Sequence, residues 1–293
     1  MYAIAKGGLM AQKTSTDRIF ENKNLIPSDL SIILKSLIHP LSLFLSGTKI
    51  KYKIVNCSEN LENFLKFLKQ TNRPIIFACN HSSPYDVPIA YKAIKKYTIL
   101  FAGKQPLEPL DEMFFNIHST IYVDRKDKED MKLSKMALIE TLKRKRQTLI
   151  FPEGTWICMD EEKADSGLLL EMKYGIIDVA KEANALIIPM ALHYDYDKMI
   201  CKYSIGLPLD VKEETLKDGI LLLRDSMASL LWKLFELKPE INRSDIIPEM
   251  ERIKMKNRLN NYPKLDVDYE KSVVFRTAPT NEEVFGPIKK LKL

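Results

Sequence analysis

Residues 75–86 read IIFACNHSSPYD, and the fold turns on them. An unbroken apolar run, Ile75 to Cys79, stops at Asn80 and His81. A run of that length bounded by polar residues is the pattern of a strand buried on both faces. Ser82, Ser83 and Pro84 follow, and then Asp86. The segment Ser83-Pro84-Tyr85-Asp86 fits a capping box, with Ser83 as N-cap, Pro84 at the first helical position and Asp86 at the third. The stretch predicts a buried strand, a loop carrying an imidazole, and a helix start carrying a carboxylate.

The same rhythm extends to both sides. Strands are predicted at 50–55, 74–79, 97–102, 120–123, 148–151 and 186–192, with 205–208 able to close the sheet. Helices are predicted at 61–68, 84–95, 110–115, 131–145 and 172–183. Strands alternating with helices, several of them continuously apolar, give an α/β fold with a mostly parallel central sheet flanked by helices. In such sheets, sites gather just beyond the carboxyl ends of the strands, where His81, Arg125 and Pro152-Glu153 fall. A long amphipathic helix over 215–237 ends at Lys238-Pro239.

Four segments follow from this pattern. Residues 1–25 form a polar lead, without the apolar core of a signal peptide. Residues 26–47 form an apolar helical segment that Ser28 or Asp29 can cap and that Pro40 should break or bend. Broken there, it is too short to span a bilayer. It is either a helical pair packed on the core or an interfacial anchor dipped into one leaflet. Residues 48–238 hold the α/β domain. Residues 239–293 are a charge-rich tail in which 272–275 could add a strand and 284–291 a short docking helix.

Composition narrows the function. The chain has 293 residues, 45% apolar and 29% charged, enough to bury a sizeable core. Its formal net charge of +6 suits anionic lipid surfaces or phosphorylated small molecules. No basic helix face interleaved with aromatics points to nucleic acid. Cys57, Cys79, Cys158 and Cys201 are far apart, which argues for a reducing compartment and against a disulfide framework or a zinc site.

Several residues could carry chemistry. Histidine is the side chain best suited to accept a proton near neutral pH, and a nearby carboxylate would fix its tautomer. His81 and Asp86 have that relation, although Asp86 could equally serve only as a helix cap. Phe151-Pro152-Glu153-Gly154-Thr155 is a strand running into a turn, with Glu153 either functional or solvated and Gly154 permitting an unusual φ. Arg125 ends the strand Ile121-Tyr122-Val123. It is a candidate phosphate partner or part of a solvated charge cluster. Lys173 is either a surface lysine or a contact to an anionic substrate. Pro189, in Ile187-Ile188-Pro189-Met190, implies an edge, a bulge or a functional strand end.

Asn80-His81 with Asp86, Tyr122-Val123-Asp124-Arg125, Phe151-Pro152-Glu153-Gly154-Thr155 and Ile187-Ile188-Pro189, in this order, resemble the four blocks of the glycerophospholipid acyltransferases, typified by 1-acylglycerol-3-phosphate O-acyltransferase. The resemblance covers about residues 50–210. It implies that His81 is the general base, that Asp86 orients it and that Arg125 binds the acceptor's phosphate. It further implies that Glu153 and Gly154 contact the glycerol part of the acceptor, and that the Pro189 strand shapes the acyl or thioester site. Thr155 and Lys173 join the substrate-binding set. The implied reaction moves a fatty acyl group from acyl-CoA or acyl carrier protein to a lysophospholipid hydroxyl, with no cofactor and no metal. The implied setting is the cytoplasmic side of the cell membrane, with the protein peripheral or monotopic and residues 26–47 in the interface. Where the family's second block carries a glycine before its strand, Ser119-Thr120 stand here.

Direct transfer needs no cysteine or serine intermediate. The oxyanion would be met by backbone N–H groups at the helix start after His81. Three other readings compete: the same chemistry on glycerol 3-phosphate or an amine-bearing lyso-lipid, a non-catalytic membrane lipid-binding protein, and a metal-dependent hydrolase.

Overall fold

A computed structural model describes residues 26–59, 61–83, 85–104, 107, 109–155, 169–196 and 198–236. The predicted polar lead and the two tail elements lie outside these residues. Seven helices and seven strands are assigned among the described residues: α1 (Asp29–Lys49), β1 (Lys53–Asn56), α2 (Leu61–Gln70), β2 (Ile75–Cys79), α3 (Asp86–Ile94), β3 (Ile99–Gly103), α4 (Pro109–Ile117), β4 (Ile121–Val123), α5 (Lys128–Lys143), β5 (Thr148–Ile150), α6 (Gly175–Ala183), β6 (Leu186–Asp195), β7 (Ile200–Ile205) and α7 (Leu216–Glu236).

The strands form one sheet in the order β1-β7-β6-β2-β5-β3-β4. Every neighbouring pair is parallel except β6 and β7. β2 lies inside the sheet between β6 and β5, and all five of its residues are buried. Its side chains alternate between two cores. Ile76 and Ala78 face α5, α6 and α7, while Ile75, Phe77 and Cys79 face α2, α3 and α4. Both faces are therefore covered, as the continuous apolar run requires.

Two strands differ from the sequence reading. Residues 205–208 do not close the sheet. The closing strand is β7, inserted between β1 and β6, and β6 runs on to Asp195. Pro189 is in an interior strand, not at an edge. Met190 pairs with Ile205 and Ile187 with Leu209, so the stretch Gly206 to Pro208 carries one extra residue, a bulge. The missing N–H of Pro189 faces that bulge, while its carbonyl accepts from Gly206 N at 2.8 Å. No regular ladder bond is lost.

The apolar N-terminal segment is one helix, not a broken pair. α1 runs through Pro40 and is long and apolar enough to cross a membrane. At about 1.5 Å per residue its 21 residues extend roughly 31 Å. Ser28 caps it, accepting from Ser31 N at 3.2 Å. Proline inside a helix costs about 3 kcal/mol. Here the neighbouring turn is held by tertiary contacts against α3 and α4. His39 Nδ1 and His118 Nε2 are 2.9 Å apart, and His39 sits edge-on to Tyr91 and Tyr97. The helix is inverted relative to a core helix. His39 and Ser42 are buried, while Leu30, Ile33, Leu34, Leu37, Leu41 and Phe44 are each more than half exposed.

Ser119, where the resembled family carries glycine, has φ of 51°, in the left-handed region that glycine adopts without strain. Its hydroxyl pairs with Tyr97 Oη at 2.9 Å.

Candidate active site

The sheet order brings three segments to one end of the fold. His81 follows β2, Glu153 follows β5 beside it, and Arg125 follows β4 two places further on. Asn80 extends the β2–β6 pairing beyond the last ladder residues. Its side-chain amide donates to Leu192 O at 3.0 Å and accepts from Leu192 N at 2.7 Å. The histidine thus leaves a fixed strand end.

His81 is held on three sides. Its Nδ1 lies 3.0 Å from Asp86 Oδ2. Its backbone N–H donates to Glu153 Oε1 at 2.7 Å. Its ring stacks on Phe151, with centroids 4.4 Å apart. Asp86 is completely buried, so its charge must be met by donors. Oδ2 also accepts from Ser82 N at 2.5 Å and Ser83 N at 2.7 Å, and Oδ1 accepts from Tyr194 Oη at 2.6 Å. Asp86 therefore ties the preceding loop and partners the imidazole, and no side chain caps the helix. The helix itself begins at Asp86, later than predicted, while Ser83 Oγ accepts from Tyr85 N at 3.2 Å. Pro84 lies outside the described residues.

The backbone N–H groups of His81, Ser82, Ser83, Tyr85 and Asp86 have acceptors within this network: Glu153 for residue 81, Asp86 for 82 and 83, Ser83 for 85 and 86. These five groups are already engaged, and those of Ser82 and Ser83 neutralise Asp86.

Glu153 is not a solvated turn residue. It is buried, with Oε1 on His81 N and Oε2 on Leu170 N at 2.6 Å. Burial pushes its carboxyl up to about 8, against the pull of the two N–H donors, and the nearby Asp86 adds to the rise. Glu153 thus lies beneath the histidine and ties its loop to the returning chain at Leu170. Burial also keeps the thiols of Cys79 and Cys201 well above their ordinary range, reinforced by Asp86, so neither is a ready nucleophile.

Arg125 reaches back across β3 toward β5. A β-carbon built on Gly103, the last residue of β3, would fall 2.8 Å from Arg125 Cζ, so the guanidinium lies flat where Gly103 has no side chain. A β-carbon on Gly154 would lie 4.0 Å from Arg125 Nη1 and 3.9 Å from Lys173 Cε. Gly154 has φ of 78°, and its N–H donates to Phe151 O at 3.0 Å. Two cations therefore converge over the Gly154 turn, and Lys173 is half-buried rather than on the open surface. Thr155 is buried next to this turn.

Pro189 stands apart from this cluster. A β-carbon on Gly206 would fall 2.9 Å from its Cγ and 3.0 Å from Leu230 of α7. Its ring shares the sheet face of Ile187 and Ala191, opposite to that of Tyr194. The sequence reading also missed three residues: Tyr194, because the strand was ended at 192; Gly103; and Phe151 as a ring partner of His81. Among the described residues, no three His, Cys, Asp or Glu side chains are gathered so as to hold a metal ion.

Residues 55–193 match the family model described as Acyltransferase. A "1-acyl-sn-glycerol-3-phosphate acyltransferase" of Cocos nucifera is 29% identical over 127 residues, 42% of this chain. That match spans only 38% of the length of the relative. The crystal structure of the 1-acyl-sn-glycerophosphate acyltransferase PlsC of Thermotoga maritima aligns with a TM-score of 0.53 over 77% of this chain and 89% of that one. At 15% identity, this likeness is one of fold.

Proposed function

We propose that the chain belongs to the acyltransferase family whose model residues 55–193 match, and that it moves a fatty acyl group from an acyl thioester to the free hydroxyl of a lysophospholipid. The donor is acyl-CoA or acyl carrier protein. The acceptor that fits best is 1-acylglycerol 3-phosphate, giving phosphatidate. The observation that carries the reading is the His81–Asp86 pair at 3.0 Å on a fixed strand end.

A lipid hydroxyl is too weak an acid to be ionised at neutral pH. As its oxygen attacks the thioester carbonyl, His81 Nε2 takes its proton, so no free alkoxide forms. Asp86 holds Nδ1 and stabilises the imidazolium. Collapse of the tetrahedral intermediate breaks the C–S bond, and the departing thiolate recovers the proton from His81. Arg125 and Lys173 supply fixed positive charge for the acceptor's phosphate. Gly154 keeps their approach open, and Thr155 closes that side. Glu153 acts from below by fixing the loop.

The outward apolar face of α1 supports seating in a membrane. A soluble helix buries its apolar side, whereas α1 buries His39 and Ser42 and presents leucine, isoleucine and phenylalanine. In our reading the protein sits at the cytoplasmic side of the cell membrane, and the exposed apolar face of α1 supports the membrane part of it.

The test incubates the protein with mixed acyl thioesters and a panel of lyso-lipids and seeks new esters by mass spectrometry. A phosphate-bearing lyso-lipid should be acylated. His81→Ala should lower the rate by about 10³-fold or more, with the fold intact by circular dichroism. Full activity in that variant overturns the mechanism, and no ester from any pair overturns the reading.

A further inference from the structure

We propose that Tyr194 is a positioning residue of this site: through its hydrogen bond to Asp86 it governs how tightly His81 holds a proton. The role of His81 rests on the acyl-transfer reading. The coupling rests on geometry alone.

The two oxygens of Asp86 have divided partners. Oδ2 serves the loop, taking His81 Nδ1 and the N–H groups of Ser82 and Ser83. Oδ1 takes the phenol of Tyr194 at 2.6 Å, a short bond to a buried anion. Tyr194 comes from β6, 108 residues further along the chain, and it is nearly as buried as Asp86. Its ring is fixed edge-on against Tyr52 at 5.1 Å and stacked beside Tyr196 at 5.8 Å. The hydroxyl therefore arrives at Oδ1 from a rigid support.

A donor on Oδ1 draws negative charge away from Oδ2, the oxygen that faces the imidazole. Without that donor Oδ1 is a buried oxygen with no replacement on β6, and the full charge acts on His81. The histidine then keeps its proton to higher pH, and less of it is available as a base at neutrality. The other titratable groups around this pair are Cys79 on β2, Cys201 on β7, Tyr196 just after β6 and Glu153 after β5. Burial holds the thiols in their protonated form, and Glu153 titrates on the alkaline side, at about 8. The thiols and Glu153 therefore add no acid limb of their own to a pH profile.

Tyr194→Phe keeps the ring and its aromatic packing and deletes the bond. The full-length variant is compared with the parent chain in two ways. The first is kcat and KM for an acyl thioester and a phosphate-bearing lyso-lipid across pH. The second is the pH dependence of carbethoxylation of His81 by diethyl pyrocarbonate, read by peptide mass spectrometry. His81 is the favoured target, because the other three histidines are more deeply buried. The expected result is an acid limb and a carbethoxylation midpoint both raised by about half a pH unit. At neutral pH kcat should fall about 5- to 10-fold, with both KM values within about twofold.

Unmoved midpoints overturn the proposal, and so does a loss carried by KM. If Tyr194→Phe does not fold, 3-fluorotyrosine at position 194 strengthens the donor and should lower both midpoints; no shift there overturns it too. If the parent chain transfers no acyl group while the carbethoxylation midpoint still moves, the functional reading fails and the coupling stands.

Discussion

The His81 loop and the Arg125 corner are built by opposite means. Around His81 the chain is fixed by contact: Asp86 accepts four hydrogen bonds, Glu153 two, and Asn80 makes two to Leu192. Around Arg125 the chain is arranged by room. Gly103 and Gly154 omit the side chains that would block the guanidinium, and Lys173 stands beside it. In the proposed reaction, His81 accepts a proton at one instant and so needs a single orientation. In the same reaction, a pair of cations closing on the acceptor's phosphate needs clearance. The difference predicts that damage on the first side appears in kcat and damage on the second in KM.

The sharpest break is Asp86→Asn. An amide cannot hold the imidazolium, and its NH₂ competes with the N–H groups of Ser82 and Ser83 for the same space. A fall in kcat of about 10³-fold is expected, with KM little changed, in steady-state assays. Next is Arg125→Ala, which should raise KM for a phosphorylated acceptor by about 10- to 100-fold while sparing the thioester. Equal loss for both substrates would dissolve the comparison. Gly103→Ala should repeat that result more weakly, about 3- to 10-fold in acceptor KM, because the new methyl displaces Arg125 without removing its charge.

The smallest effect is on stability. The Glu153 carboxyl is raised from its ordinary value to about 8 by burial, so the folded chain binds its proton more tightly than the unfolded chain does. That contribution is complete below about pH 4.5 and is lost as pH rises through about 8. The thermal midpoint should therefore decline across this window, and Glu153→Gln, which cannot ionise, should flatten the decline.

Local patterns carried the strand β2, the histidine at its end and the helix beyond it into view, because apolar runs and turn residues act over a few positions. The central sheet was legible for the same reason. What escaped depends on distant partners. Glu153 reads as a turn residue until its partners, residues 81 and 170, are known. Tyr194 falls beyond the predicted strand until β7 pairs with β6 and carries the strand to Asp195. Gly103 is silent until the order β5-β3-β4 places it under an arginine from the next strand. Pro40 reads as a break because its local cost is plain and the contacts that offset it come from α3 and α4.

His39 of α1 and His118, just after α4, form a hydrogen bond with only one direction. His118 Nδ1 faces the carbonyl of Phe114 at 2.7 Å, so Nδ1 carries the hydrogen and Nε2 is bare. His39 must then donate through Nδ1, which leaves its own Nε2 a buried lone pair with no partner. Burial lowers both imidazoles, His118 to about 3, so the pair is neutral and works only unprotonated. Acid adds a proton where no acceptor waits, and what it weakens is the seat of α1 on the catalytic domain.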